Sequence, residues 1–311
     1  MFKGVIPILA TPFHDDERLD LKSWQRLLEF MLALSVDGIT VLGVLGESNR
    51  LHEGERQELI RSAVAALKGR IPIIVGTSHT GTRVTAYLSR MAEDLGADAV
   101  MVTPAKEAVP NPDRIVEMFA QVADAVSIPV VLQDHPTSSE VHLSVELILR
   151  ILRAVPSIGC VKEEAVPTAQ KIRQLRDRLE DRRLPILSGL GALYAPFELE
   201  AGSDGFNTGF AFPEVLRAMM NAADAGDWSL VHDIYSRFAP LIVFEQQSGV
   251  AIRKELLRRR GLLATSRARH PGATISTAEA QQLDRVLART LPGVDITRPL
   301  APDRLSSPIE R

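Results

Sequence analysis

Ile71-Pro72-Ile73-Ile74-Val75 is a short, continuous apolar run entered through a proline, and the chain repeats that figure. Ile128-Pro129-Val130-Val131-Leu132 and Leu184-Pro185-Ile186-Leu187 have the same form. Three further runs follow a small residue and an aspartate: Val36-Asp37-Gly38-Ile39-Thr40-Val41-Leu42, Ala97-Asp98-Ala99-Val100-Met101-Val102 and Ser203-Asp204-Gly205-Phe206-Asn207. Gly4 to Leu9 at the start and Ile158 to Val161 in the middle bring the total to eight. Short apolar runs without alternation are what parallel strands buried on both faces require.

Stretches with apolar residues at helical spacing fill the gaps: 21–34, 53–67, 80–95, 112–126, 143–154, 167–179, 192–201 and 213–225. Asn111 before Pro112 and Asp113, and Ser144 before the run containing Leu147, read as helix caps. Eight strands alternating with eight helices predict an α/β fold, a (β/α)8 TIM barrel over residues 1–226. An open doubly wound sheet is the alternative, but Ala10-Thr11-Pro12-Phe13 stands where that fold would more commonly show a Gly-rich phosphate loop. After Gly226 the alternation stops. Helical patterns at 228–244, 247–260 and 276–291 predict a C-terminal helical extension over 227–295 packed on the barrel, followed by a polar, flexible tail over 296–311.

Composition excludes several classes of function. The formal net charge is -3 and the basic residues are scattered, so no face suggests nucleic acid. A single cysteine, Cys160, rules out an internal disulfide or a cysteine-based metal cluster and fits a reducing compartment. With no run of eighteen apolar residues and no signal-peptide pattern, the expectation is a cytoplasmic protein without membrane partners. The seven histidines form no His-x-x-x-His pair, so no metal is expected, and no Gly-x-Ser-x-Gly elbow announces a serine nucleophile. His135 reads as a loop-packing residue.

The chemistry concentrates at Ser157-Ile158-Gly159-Cys160-Val161-Lys162-Glu163-Glu164, an apolar strand that ends in a lysine flanked by carboxylates. A desolvated lysine loses its proton more readily and becomes a nucleophile toward carbonyls. The plainer reading is a lysine that reaches solvent or pairs with Glu163 or Glu164. The barrel separates these readings, because its active sites lie at the C-terminal strand ends. There the chain carries Gly43-Val44-Leu45-Gly46-Glu47-Ser48, Thr103-Pro104, Gln133-Asp134-His135-Pro136, Lys162, Ser188-Gly189 and Asn207. The backbone amides of the first loop, with Ser48, suit a carboxylate or phosphate.

These residues, in this order, resemble the dihydrodipicolinate synthase and N-acetylneuraminate lyase family of Schiff-base lyases over roughly residues 2 to 290. The resemblance rests on Pro7 to Phe13, Gly43-x-x-Gly-Glu-Ser48, Thr103-Pro104, Pro136, Gly159-x-x-Lys162-Glu163 and Ser188-Gly189. It implies that Lys162 condenses with the ketone of a 2-oxo acid, that the loop with Gly43, Gly46, Glu47 and Ser48 holds the substrate carboxylate, and that no cofactor beyond the lysine imine is used. It also implies a homo-oligomer, a tetramer or a dimer. Where synthases of the family carry a Thr-Thr pair and two tyrosines, this chain has Val44 and Leu45, Ala105 or Lys106, and Gln133.

Leu132-Gln133-Asp134-x-Pro136, Lys162-x-Glu164, and the tail with Lys254 and Arg269-His270-Pro271 look more like the branch that dehydrates 2-keto-3-deoxy sugar acids. On that resemblance Glu164 is a general acid/base and Gln133 orients a hydroxyl or water. Alternation along the strand would put Glu164 on the same side as Lys162. Otherwise Glu164 serves only as an ion-pair partner and Gln133 as a space filler. Ser188, Gly189 and Asn207 are candidates for binding distal hydroxyls. A pyruvate-dependent aldolase, a synthase-like condensation and a non-catalytic 2-oxo acid sensor are the alternatives.

Overall fold

The computed structural model describes residues 2–179, 183–247, 249–301 and 305. Eight parallel strands follow one another around the sheet: β1 (Gly4–Val5), β2 (Ile39–Val41), β3 (Ile73–Gly76), β4 (Ala99–Val102), β5 (Val130–Asp134), β6 (Ile158–Glu163), β7 (Ile186–Ser188) and β8 (Gly205–Phe206). β1 pairs with β8, and a bridge between Ile8 and Thr40 joins the β1 segment to β2, so the sheet curls into the predicted barrel. The strands are shorter than the apolar runs, because their ends bend into the loops that shape the site.

The two kinds of strand entry have distinct physical causes. In three places the aspartate before a strand caps an amide at the start of the strand beside it. Asp37 Oδ2 accepts from Val5 N at 2.7 Å, Asp98 Oδ2 from Ile73 N at 2.8 Å and Asp204 Oδ2 from Ile186 N at 2.8 Å. The prolines also serve the preceding strand, but through their carbonyls: Pro72 O accepts from Ile39 N at 3.0 Å, Pro129 O from Val100 N at 3.1 Å and Pro185 O from Val161 N at 3.0 Å. The repeat therefore records how strand edges are satisfied around a closed sheet, where every buried backbone group needs a partner.

Around the barrel run α1 (Leu21–Ala33), α2 (Glu53–Leu67), α3 (Thr82–Asp94), α4 (Pro112–Ala125), the single turn α5 (Pro136–Ser139), α6 (Val145–Ala154), α7 (Thr168–Leu179), α8 (Ala195–Glu200) and α9 (Pro213–Asp224). The caps expected at Asn111 and Ser144 form, accepting from Asp113 N at 3.0 Å and Leu147 N at 3.1 Å. Two layers of apolar side chains result. Phe2, Ile6, Ile74, Ala99, Met101, Val131, Cys160 and Leu187 fill the barrel, and the larger layer lies between strands and helices.

α10 (Trp228–Gln247), α11 (Val250–Arg259) and α12 (Thr277–Thr290) continue that outer layer rather than forming a core of their own: Phe238, Leu241, Ile252, Leu256 and Leu283 belong to it. α10 runs to Gln247 and α11 starts at Val250, both later than the sequence pattern placed them, and Gly249 at the start of α11 has φ +51°. α8 begins three residues late because Leu190, Gly191 and Ala192 all take positive φ, at +47°, +66° and +65°. The expected flexible tail is tethered where it is described. Ile296 O accepts from Arg260 Nε at 3.1 Å and Leu300 N donates to Glu214 Oε1 at 3.1 Å. Residues 302–304 and 306–311 of that expected tail lie outside the described residues. No described helix is long and apolar enough to cross a membrane.

Candidate active site

Alternation along β6 sends Cys160 and Lys162 into the barrel and Glu163 outward, and Glu164 just past the strand returns to the interior. Lys162 is 1% exposed and Glu164 5%, and Lys162 Nζ stands 3.0 Å from Glu164 Oε2. Across the β5–β6 pairing Gln133 is the register partner of Lys162, and its Nε2 donates to Glu164 Oε2 at 2.7 Å. The other carboxylate oxygen, Oε1, accepts from the Leu190 amide at 3.1 Å. Burial alone would raise the Glu164 carboxyl. The charges of Lys162 and His135 and the hydrogen bonds from Gln133 and Lys162 outweigh it and hold the group below the usual carboxylate range. The result is an ionised, fully partnered carboxylate beside a buried amine.

Close backbone approach makes this possible. A β-carbon on Gly189 would sit 2.1 Å from Glu164 Oε1, so only glycine leaves room for the carboxylate. Leu190 reaches Glu164 through its left-handed turn, which is further fixed by Gly191 N on Thr208 Oγ1 at 2.7 Å and Gln246 Nε2 on Leu190 O at 3.1 Å. Three positive-φ residues in a row, two of them not glycine, are costly, and such strain concentrates at functional sites.

The loop after β2 is built with the same economy. Leu42 takes φ +58° and Glu47 φ +51°, and Gly76 is forced because a β-carbon there would lie 2.3 Å from Leu42 O. Thr11 Oγ1 donates to Gly46 O at 2.6 Å and Glu47 N to Val44 O at 3.0 Å. The amides of Leu45 and Gly46 have no backbone partner among the described residues. Gly43 packs against Ile8.

Several expected site residues turn elsewhere. Ser188 faces outward, donating to Ser203 Oγ at 2.9 Å, because it is in register with Glu163 and shares that outward phase. It cannot reach a ligand in the barrel. Glu47 points away from the interior into an ion cluster with Lys254, with Arg50 Nη1 at 2.8 Å and with the Arg269 amide at 2.9 Å. Ser48 opens a short helical turn and offers its carbonyl to Arg56. Asn207 does point inward, but its Nδ2 is spent on Ile6 O at 2.9 Å and Thr40 Oγ1 at 2.7 Å, in the layer that closes the barrel. Sequence alternation cannot resolve these positions, since each lies at or past a strand end.

The amino-acid sequence matches the model of the dihydrodipicolinate synthetase family over residues 1–290. The chain belongs to that family. It is 35% identical over 274 residues to an L-2-keto-3-deoxyarabonate dehydratase of Azospirillum brasilense, covering 86% of this chain and 88% of that protein. It is 31% identical over 295 residues to a 4-hydroxy-tetrahydrodipicolinate synthase of Methanosarcina mazei, covering 93% and 98%. Among solved structures, a dihydrodipicolinate synthase from Rhodopseudomonas palustris superposes with a TM-score of 0.88 at 35% identity, over 92% of this chain and 97% of that one. The chain is thus an enzyme of a lyase family, and its two kinds of relative carry out different reactions.

Family membership puts weight on the positions where this chain departs from the synthase pattern. Leu45 packs on Gly209, Lys106 turns to the rim to pair with Glu140, and Gln133 hydrogen-bonds Glu164. Tyr87 is exposed and bonded to Glu53, and Tyr235 donates to Leu193 O at 2.5 Å. The polar group on Lys162 is Glu164, and Gln133 reaches the lysine only through that carboxylate. Sequence reasoning missed the Leu190 amide, which no residue pattern announces. It also set His135 aside as packing: the ring is half-buried, its Nδ1 lies 2.6 Å from Ser138 Oγ, and burial pushes it below its ordinary value. Among the described residues, no group of three His, Cys, Asp or Glu side chains could hold a metal ion.

Proposed function

We propose that this member of the dihydrodipicolinate synthetase family is a hydro-lyase that dehydrates a 2-keto-3-deoxy sugar acid through an imine on Lys162. The observation that carries the reading is the Glu164 carboxylate, held 3.0 Å from Lys162 Nζ inside the barrel. It is an ionised base beside the carbon atoms that an imine on Lys162 would activate.

The steps follow from that arrangement. Transfer of the ammonium proton to Glu164 frees Lys162 Nζ to attack the C2 ketone, and the carbinolamine hydroxyl leaves as water by taking that proton back from Glu164, which is ionised again. The resulting iminium draws electrons from the C3–H bond. Glu164 takes the C3 proton, leaving an enamine. The enamine pushes out the C4 hydroxyl, which Glu164 protonates as it leaves. Water then hydrolyses the unsaturated imine and returns Lys162. No cofactor is needed, because the lysine imine is itself the electron sink. Gln133, an amide that does not titrate, fixes the direction of the Glu164 carboxylate and positions a substrate hydroxyl or water. The unspent amides of Leu45 and Gly46 hold the C1 carboxylate, as backbone donors at a loop suit an anion. The 35% identity to an L-2-keto-3-deoxyarabonate dehydratase supports the same outcome.

Val84 and Tyr87 on α3 and Val109 beyond β4 are large apolar side chains left exposed, and they support a homo-oligomer. Incubation with a panel of 2-keto-3-deoxy sugar acids, followed by mass analysis of the products, tests the reaction. Loss of one water from the substrate is the expected result; release of pyruvate would make the enzyme an aldolase instead.

A further inference from the structure

Arg253 on α11 is a cation with both terminal nitrogens of its fork unspent. Its side chain is 14% exposed, and its Nε contacts Glu245 Oε2 at 3.3 Å. Nη1 and Nη2 have no hydrogen-bond partner among the described residues, and neither is sealed from solvent. Nη2 lies 2.7 Å from where a β-carbon on Gly191 would stand, and Gln246 Nε2 lies 2.1 Å from the same point. Both side chains therefore cover the left-handed turn whose first amide, Leu190 N, holds Glu164. Gln246 spends its Nε2 on Leu190 O at 3.1 Å and Ile242 O at 3.4 Å, which leaves its Oε1 as an acceptor. His135 follows β5 directly, two residues past Gln133, the register partner of Lys162, and so stands at the same rim of the barrel. Ser138 Oγ occupies Nδ1 at 2.6 Å, and Nε2 has no hydrogen-bond partner among the described residues.

We propose that Arg253, Gln246 and His135 form the subsite for the hydroxyl-bearing carbons beyond C3, so that the C-terminal helices set the enzyme's selectivity for a sugar acid over a short 2-oxo acid. This inference rests on the imine reading of Lys162. Its chemistry follows from the mixture of groups: two Arg253 N–H nitrogens donate, Gln246 Oε1 accepts, and the imidazole does either. Hydroxyls both donate and accept and match such a set, whereas an anion would be met by donors alone. The partner of Arg253, Glu245, is fully buried and partly offsets the guanidinium charge, which also favours a neutral ligand.

The test compares two ligands across Arg253→Met and Arg253→Lys, the second keeping a cation beside Glu245 if the first does not fold. One readout is KM and kcat on a 2-keto-3-deoxy sugar acid. The other is the pyruvate concentration that half-saturates borohydride trapping, since pyruvate has no distal carbons. A charge-assisted hydrogen bond lost from the subsite should raise KM for the sugar acid by about 10- to 100-fold. Pyruvate half-saturation should move by less than about 2-fold. Equal shifts for both ligands, or none for either, would overturn the subsite while leaving the imine in place. A wild-type enzyme that forms no pyruvate adduct would overturn the imine reading first and the subsite with it.

Discussion

Gly189 and Glu164 occupy one space: the position of a β-carbon on Gly189 is 2.1 Å from Glu164 Oε1 and 2.4 Å from its Cδ. The turn after β7 thus determines where the base can stand. Gly189→Ala should push the carboxylate off Lys162 and lower kcat by about 100-fold, the scale of a general base lost. Borohydride trapping of pyruvate should persist, because Lys162 itself is not displaced. A variant with wild-type kcat would show that Glu164 need not stand there.

Glu164→Gln keeps the shape of the side chain and removes the base. Dehydration should fall by about 100- to 10,000-fold, the usual contribution of positioned acid–base catalysis. Imine formation, read by trapping at short times, should fall much less. An equal loss in both would reduce Glu164 to a structural partner of Lys162.

The barrel was legible in the sequence because closure imposes a chemistry on every strand entry. Asp37, Asp98 and Asp204 cap a neighbouring strand, and Pro72, Pro129 and Pro185 present carbonyls to another, so the same residue types recur at the same place. Lys162 and Glu164 were legible for a related reason, since period-two alternation survives one residue past β6. Ser188 and Glu47 were not. Both are polar residues near strand ends, and which way such a residue turns depends on register with β6 and on the ion cluster supplied by α11 and the 264–270 segment, far away in sequence. The α8 start was misplaced because Leu190 and Ala192 adopt positive φ without being glycine, a tertiary effect that local propensity does not foresee.

Glu198 supplies a pH test of stability. It is fully buried against α7 and β7, beside the Thr168 and Ser188 hydroxyls, and neither oxygen makes a well-formed hydrogen bond. Burial pushes it up to about 7 from an ordinary 4.5. The folded protein therefore holds a proton that the unfolded chain releases above 4.5, so the stability this contributes is complete below that pH and is lost as pH rises toward 7. The loss amounts to about 3 kcal/mol at most. Urea denaturation of wild type and Glu198→Gln at pH 5 and pH 7.5 measures it. The glutamine, which mimics the protonated acid, should flatten this part of the pH dependence, and an unchanged slope would place the titration elsewhere.

Lys254 joins α11 to the loop after β2 through its buried pair with Glu47, and its ammonium and the Arg269 guanidinium each lie 4.3 Å from the Phe13 ring centre. Lys254→Met removes the cation from Glu47 Oε1 while Arg50 and the Arg269 amide still hold Oε2, and should cost about 1 to 3 kcal/mol in urea denaturation. Adding Glu47→Gln should recover part of that loss. If the single variant is as stable as wild type, the pair does not anchor the loop.

The central claim is that Lys162 forms an imine with the substrate, and one measurement addresses it directly. The protein is reduced with borohydride in the presence of a 2-keto-3-deoxy sugar acid, weighed intact and digested for peptide mapping. The account predicts a single adduct on Lys162 whose mass reflects a substrate that has lost one water beyond that lost in forming the imine. An adduct on another lysine, or no adduct with any 2-oxo acid while the protein is folded, would contradict it.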